Sequence, residues 1–474
     1  MTEIYSARWV LPISSPAIEN GAVAVAQDRI VAVGHAPKLK ARFAKASVVD
    51  FGHAGILPGL VNAHSHLELT VMRGFLEREE DDFLAWLRKL TVARMAMTSE
   101  DLYVSAMCGA IEAARAGVTC VGDASATASA AMKALNEIGL RGIVYQESFG
   151  PDPAAAKENV RKLQAQLDEL RGSESALVRA GVSPHAVYTV SAPQLEMISR
   201  LAQDESFPLM MHAAESRAEE LFMLEGTGPF AEGLTGRSID WQTPRISTIQ
   251  YLARLGVLET KPLLAHCITV DEPDIHTIKS SDARVAHCPK SNAKLGHGLA
   301  PFVRFIKAGV KVGLGSDSVA SNNTCDLLEE ARFATLIARI NCHHGQIATN
   351  DMNSRARLDT LQSGEAAALL SARDALFAAT LGGARALGLD DRVGALAEGK
   401  QADLVVVALD KAHQQPAQDP SDALVLSSSG QDVLMTMVGG QEVYRNDLVS
   451  RVDEAGYATR LREIRARLDS IGSE

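Results

Sequence analysis

The sequence predicts an α/β protein: a distorted (β/α)8 barrel of the TIM type, with a small β-sandwich built from its N- and C-terminal segments. Three observations carry that expectation. From residue 59 onward, eight apolar runs of about five residues alternate with helical stretches of ten or more, the pattern of parallel βαβ units. Strand-like segments lie on both sides of this region and neither set has partners in the barrel, so the two ends are expected to build one β-sandwich together. The apolar runs also stop at histidine or aspartate, and barrels of this type place their chemistry at the C-terminal ends of the strands.

Residues 1–58 read as short strands, Ile4 to Leu11, Ala22 to Ala26, Ile30 to Val33 and Ser47 to Asp50, with Gln27-Asp28-Arg29 as a turn. The eight inner strands are expected at 60–64, 118–122, 142–146, 178–183, 208–212, 262–266, 283–287 and 311–315. Between them lie helices such as Thr98 to Ala116, which has acids in its first turn and Gly117 as its stop. Helices over Asp326 to Ile340 and Ala372 to Ala386 follow, and β-type sequence then returns at Ala402 to Val407. Gly439-Gly440 joins Val433 to Val438 with Glu442 to Arg445 in a hairpin. The division expected is 1–58 for the first part of the sandwich, 59–395 for the barrel, 396–450 for the second part and 451–474 for a terminal helix.

Composition excludes several classes. A 46% hydrophobic, 22% charged chain of 474 residues matches an ordinary globular enzyme, and no apolar run approaches the ~18 residues of a membrane span. The N-terminus carries neither a basic region nor an apolar core of signal type, so a cytoplasmic protein is expected. A net charge of −11 disfavours nucleic acid and anionic membranes, leaving a small molecule as the expected partner. The six cysteines have no CxxC spacing and read as buried thiols, Cys267 and Cys288 among them.

His64 and His66 lie one residue apart at the end of the first inner strand, so their side chains share a face. Such a pair alone is as readily surface or core as metal site. The other strand ends decide it: Ser183-Pro184-His185, His212-Ala213-Ala214-Glu215, His266, His287 and Gly315-Ser316-Asp317 make six of eight strands that end in His or Asp. His64, His66, His212 and Asp317 together supply imidazole nitrogens and a carboxylate, a set suited to a zinc ion with one position left open. A metal so held lowers the pKa of water from above 15 to roughly 7. Glu215, three residues beyond His212, is placed to hand a proton to a ring nitrogen.

These residues carry a resemblance. Pro58-Gly59 to His66, Ser183-Pro184-His185 with Tyr188 to Ser191, His212 to Glu215, His266, Ser291-Asn292, Gly315 to Asp317 and Gly399 to Leu404 are similar to the amidohydrolase superfamily, in its cytosine-deaminase and chlorohydrolase branch. The resemblance implies one divalent metal per chain, usually zinc and sometimes iron, on His64, His66, His212 and Asp317. It implies Glu215 as proton shuttle, His266 as the residue that orients the attacking water, Asp317 as a carrier of that water's proton, and His185 as a substrate contact. The superfamily's two-metal chemistry uses a lysine at the end of the fourth strand, where this chain has Ser183-Pro184-His185. A non-catalytic scaffold relative is disfavoured because every ligand is retained. A homo-oligomer, a dimer, is the expected assembly.

For the substrate, the long segment Ser216 to Lys261 reads as a binding loop and implies a substrate larger than a bare base. Adenosylhomocysteine-type relatives carry a glutamate about nine residues beyond the tryptophan that corresponds to Trp86; here Met95 stands there, beside Arg94. His66 to Leu69 and Trp86 to Arg94 look more like aminodeoxyfutalosine deaminases, whose substrate bears a carboxylate that Arg94 would suit. The expected reaction is hydrolysis of the exocyclic amine of an adenine-type nucleoside, either of those two types or methylthioadenosine-like. A pterin, guanine-type base or triazine is the alternative. Glu68, two residues past His66, faces the same mouth if the chain stays extended, and is expected to grip substrate with Arg94.

Overall fold

The computed structural model describes residues 2–348 and 370–471. Five strands open the chain: β1 (Thr2–Val10), β2 (Ile18–Ala26), β3 (Arg29–His35), β4 (Ser47–Asp50) and β5 (Ala54–Pro58). Eight follow: β6 (Leu60–Ser65), β7 (Val118–Ser125), β8 (Arg141–Ser148), β9 (Val178–Pro184), β10 (Met210–Ala213), β11 (Leu263–His266), β12 (Arg284–His287) and β13 (Lys311–Leu314). The chain then adds β14 (Leu404–Ala408), β15 (Val433–Val438), β16 (Gln441–Arg445) and β17 (Leu448–Val449). All eight inner strands fall where the apolar runs stand, because a parallel strand covered on both faces reads as a continuous apolar segment.

The inner strands pair in parallel as two four-stranded sheets, β6-β7-β8-β9 and β10-β11-β12-β13. Each junction between them is a single bridge, Val182 with Leu209 and Ser65 with Asp317. Both have local causes. Pro208 has no N–H to donate, so the first junction rests on Val182 N–H to the Pro208 carbonyl at 3.0 Å. At the second, the backbone of Asp317 turns to φ 55°, which ends the ladder after its N–H reaches the His64 carbonyl.

The outer strands form one hydrogen-bonded path, β17-β16-β15-β14-β5-β1-β2-β3, with β4 added beside β1. The expected union of the two ends is made by β5 and β14, antiparallel from Leu404 opposite Pro58 to Ala408 opposite Ala54. The two-layered sandwich expected there is one nine-stranded sheet by its hydrogen bonds, and it curls so that Asp28 meets Ala402, whose N–H it accepts. The hairpin at Gly439-Gly440 is present, both glycines at positive φ as a primed turn demands. β5 is not among the strands expected, but its boundary with β6 falls at residue 59, where the barrel was expected to begin. Gly59 makes that boundary, since a Cβ there would lie 2.0 Å from Thr119 Oγ1.

The helices follow the same logic. Ser99–Arg115 is closed at its start by a Thr98–Asp101 capping box. The helix expected over Ala372 to Ala386 is interrupted by a π-turn, Ala378–Gly382, where Gly383 packs so closely on β6 that a Cβ would be 2.7 Å from the Val61 carbonyl. The segment after β10 is no bare loop but carries helices Arg217–Leu224, Pro229–Thr235 and Thr248–Arg254. The terminal helix is Glu454–Ile471, and no helix among the described residues is long and apolar enough to cross a membrane.

Candidate active site

The C-terminal ends of the inner strands converge on one buried cluster. The ladder between β6 and β7 shifts register between Asn62 and Ser65, and Asp123 at the end of β7 locks the turn beyond it by accepting from Ser65 Oγ at 2.9 Å and Leu67 N–H at 2.7 Å. That anchoring places His64 Nε2 3.3 Å and His66 Nε2 3.5 Å from the same oxygen, Asp317 Oδ1. The other oxygen of Asp317 accepts from Ser291 and Ser321 hydroxyls at 2.5 and 2.9 Å, which fixes the carboxylate plane. Gly315 lets β13 approach, because a Cβ there would meet His64 and Cys288 at 3.0 Å.

The tautomers follow from the outer partners. His212 Nδ1 faces the His185 carbonyl at 3.1 Å, which can only accept, so Nδ1 carries the proton and Nε2 the lone pair. His266 Nδ1 similarly faces Asn292 Oδ1 at 3.0 Å. His66 Nε2 and His212 Nε2 stand 3.3 Å apart, and the Nε2 atoms of His64 and His266 are buried without a hydrogen-bond partner among the described residues. Ring nitrogens collected this way repel one another unless a cation joins them. His64, His66 and Asp317 offer ligand atoms within 4.8 Å of one another, as do His64, His212 and His266, so the residues fit a divalent metal. Burial and the neighbouring His64 hold His66 down at about 3, leaving the ring neutral and able to coordinate. Burial works against ionised Asp317, but the His64 ring beside it outweighs that and holds its carboxyl well below the usual range.

Beside this cluster stands Glu215, whose Oε1 lies 3.6 Å from His266 Nε2 and 3.7 Å from His297 Nε2. Tyr188 donates to its other oxygen at 3.4 Å. Burial, then Asp317, raises the Glu215 carboxyl well above the ordinary value, so it holds a proton where an exposed glutamate would not. Its turn is set by buried Glu219, which accepts from the backbone N–H groups of Ala214 and Glu215 at 2.8 and 3.0 Å. Aromatic rings wall this side: Phe83 meets His297 edge-on at 4.4 Å, and Phe230 from the helical insert stacks on Tyr188 at 3.9 Å. His185 packs between Phe149 and His212, at 4.8 and 4.7 Å. Its Nδ1 donates to Thr189 Oγ1 at 2.9 Å while that hydroxyl donates onward to the Ala186 carbonyl, so Nε2 is left as an acceptor.

Seven residues expected at the site are thus gathered: His64, His66, His185, His212, Glu215, His266 and Asp317. Glu68 is placed otherwise than expected. Past His66 the chain does not stay extended but winds into a 3-10 turn, Leu67–Met72, and Glu68 is buried with its oxygens accepting from the N–H groups of Ala126 and Thr127 at 3.0 and 2.9 Å. Its ionic partner is Arg94, at 3.6 Å, while Arg73 pairs with Glu112. Arg94 keeps about a quarter of its side chain exposed and lies over the Phe149 ring. His287 is buried against Phe302, and Cys267 and Cys288 are buried as expected. Sequence reasoning missed His297, Asp123 and Glu147. The last two lie in β7 and β8 near their C-terminal ends, one residue beyond where the apolar runs were taken to stop, so the strand-end rule carried one position further finds both.

Parallel α/β units with a histidine and aspartate cluster at the strand ends define a metal-dependent hydrolase by class. The chain belongs to the amidohydrolase family, whose model matches residues 56–443. A 5-methylthioadenosine/S-adenosylhomocysteine deaminase of Nitratidesulfovibrio vulgaris is 30% identical over 463 residues, covering 96% of this chain and 94% of that protein. An adenosine deaminase from Xanthomonas campestris, solved with bound zinc, superposes with a TM-score of 0.83 at 28% identity and 98% coverage of both chains. A zinc-complexed atrazine chlorohydrolase from Arthrobacter aurescens shares the fold at a TM-score of 0.80 and 22% identity, over 98% of this chain and 99% of that one. The protein is an enzyme, a hydrolase of carbon–nitrogen bonds other than peptide bonds in cyclic amidines.

Proposed function

We propose that this chain hydrolyses the exocyclic amine of an adenine-type nucleoside, of the methylthioadenosine, adenosylhomocysteine or aminodeoxyfutalosine kind, to the oxo compound and ammonia. The observation that carries the reading is the placing of Glu215, a buried carboxyl 3.6 Å from His266 and beside the ligand cluster, where burial and then Asp317 raise its proton affinity. The named deaminases among its relatives support the same substrate class.

His64, His66, His212 and Asp317 would hold the ion, zinc or iron, which when bound acts as a Lewis acid and acidifies water. Glu215 delivers its proton to the ring nitrogen next to the amine-bearing carbon, which makes that carbon electrophilic. His266, its Nδ1 tied to Asn292, presents Nε2 to orient the attacking water. Asp317, clamped by Ser291 and Ser321, accepts the proton that water loses and passes it to the departing amine. His185 Nε2 accepts from the substrate. Phe83, Tyr188 and Phe230 exclude bulk water from the Glu215 side. Arg94 reaches the distal part of the substrate, and Glu68 acts through Arg94 as a positioning residue.

The architecture we propose with it is a single distorted barrel over 59–395, supported by the two bridges that join its half-sheets. The curled terminal sheet serves as the sandwich of 1–58 and 396–450, and 451–474 makes the end helix, its last three residues lying outside those described. A cytoplasmic dimer remains the expected setting, read by sedimentation of the purified protein. Ammonia release across adenine nucleosides, guanine, pterins and triazines, on protein with assayed metal content, tests the reaction. Turnover confined to triazines or pterins overturns it.

A further inference from the structure

Glu147 is the penultimate residue of β8 and that strand's only acid, and neither the ligand set nor the proton pathway uses it. Its side chain is more than nine-tenths buried, and its Oε1 has no hydrogen-bond partner among the described residues. A carboxyl oxygen of Glu147 lies within 4.8 Å of ring nitrogens of both His66 and His212, so the group is aimed at the reaction centre. Leaving such an oxygen unpaired costs of order 1–3 kcal/mol, so a bound partner is what the site is built to receive.

The position of Glu147 says which partner. Glu215 stands with His266, His297 and Tyr188, the side where the heterocycle must lie to receive its proton. Glu147 lies by His66 and His212, Glu68 and Arg94 are the charged groups that act on it most strongly, and the next residue but one, Phe149, is partly exposed beneath the Arg94 guanidinium. A nucleoside whose base reaches Glu215 therefore carries its sugar toward Glu147. Arg94 already faces the Glu68 carboxylate, so it does not serve as Glu147's counter-ion as well. Sugar hydroxyls both donate and accept, and a vicinal pair satisfies a carboxyl group in either of its protonation states.

We propose that Glu147 is a specificity-determining residue that binds the vicinal hydroxyls of the substrate's ribose. The proposal rests on the nucleoside reading above. Glu147 could instead be a further metal ligand, since His66 and His212 are shared, but His64, His66, His212 and Asp317 already supply four ligand groups.

The test compares kcat/KM for adenosine and 2′,3′-dideoxyadenosine in the wild type and Glu147→Gln, with metal content measured on both. The expected wild-type preference for adenosine is about tenfold or more, and Glu147→Gln should bring the ratio near one with one metal per chain retained. A preference that survives the substitution, or loss of metal from the variant, overturns the proposal. If Glu147→Gln does not fold, judged by its thermal melt, Glu147→Ala is read in the same way. If the wild type deaminates neither compound, its turnover of methylthioadenosine and adenosylhomocysteine decides the proposed reaction. Equilibrium dialysis of inosine against 2′,3′-dideoxyinosine then judges the hydroxyl reading separately: a Glu147-dependent preference for inosine upholds it and equal binding ends it.

Discussion

Arg141 and Asp403 are buried as deeply as His64 and Asp317, but the two pairs are completed differently. Arg141, at the start of β8, donates to both oxygens of Asp403 at 2.8 and 3.0 Å, and Asp403 also accepts from the Gly439 N–H at 2.8 Å. That pair ties the inner strands to the terminal sheet, and its charges neutralise each other, although Arg141 Nη1 finds no hydrogen-bond partner among the described residues. At the opposite ends of the strands, His64, His266 and Glu147 keep polar atoms with no hydrogen-bond partner among the described residues, and His266 and Asp317 hold positive φ. Buried charge that is closed on itself serves structure, whereas buried charge left open is shaped for something the chain does not contain.

That contrast can be broken at either end. The largest effect is expected at the open cluster, where His212→Ala should lose both bound metal and turnover. Full metal occupancy with normal activity, by elemental analysis and ammonia release, would remove His212 from the ligand set. Glu215→Gln should keep the metal and lower kcat by ~10² to 10⁴, the usual worth of a general acid–base group. Normal turnover in that variant assigns the proton to another residue.

At the closed pair the effect should fall on stability. Arg141→Ala is expected to destabilise by about 3–5 kcal/mol in denaturant melts, because it strands Asp403 in the interior. Replacing both, Arg141→Met with Asp403→Leu, should cost less than either single change, while kcat/KM of the folded protein stays near wild type. A large catalytic loss in the double variant would mean the pair is coupled to the mouth.

Between the two extremes lies the Glu68–Arg94 pair. Arg94→Ala is expected to lower kcat/KM for a nucleoside by ~1–3 kcal/mol and to spare a bare base. Glu68→Gln, which disturbs the turn at Ala126 and Thr127 as well, should reduce both. Equal losses from Arg94→Ala on nucleoside and base would show that Arg94 shapes the mouth and does not read the substrate.

The smallest effect concerns acid. Burial holds His185 and His287 at about 3, far under their ordinary 6.5. The unfolded chain therefore takes up these protons first as pH falls, and the stability that neutral burial retains above 6.5 is lost progressively down to about 3. Metal-free protein should melt at lower temperature with each step of acidification across that window, and His287→Phe should flatten the slope. An unchanged slope in that variant would place the acid sensitivity elsewhere.

The sequence by itself determined the eight inner strands and seven of the residues that meet at their ends. A strand buried on both faces must be apolar throughout, so it announces its limits, and a polar residue at such a limit has few roles other than chemistry. Local pattern stops at the residue, however. Gly122 and Gln146 looked like strand ends, which concealed Asp123 and Glu147 one step further along. His297 follows no apolar run, so only the folding of its loop against Phe83 brings it to Glu215. The direction of Glu68 turned on whether the chain stayed extended past His66, and Asp123 decided that by capturing the Leu67 N–H. Tertiary structure alone chose these, because each depends on contacts between strands whose register no periodicity records.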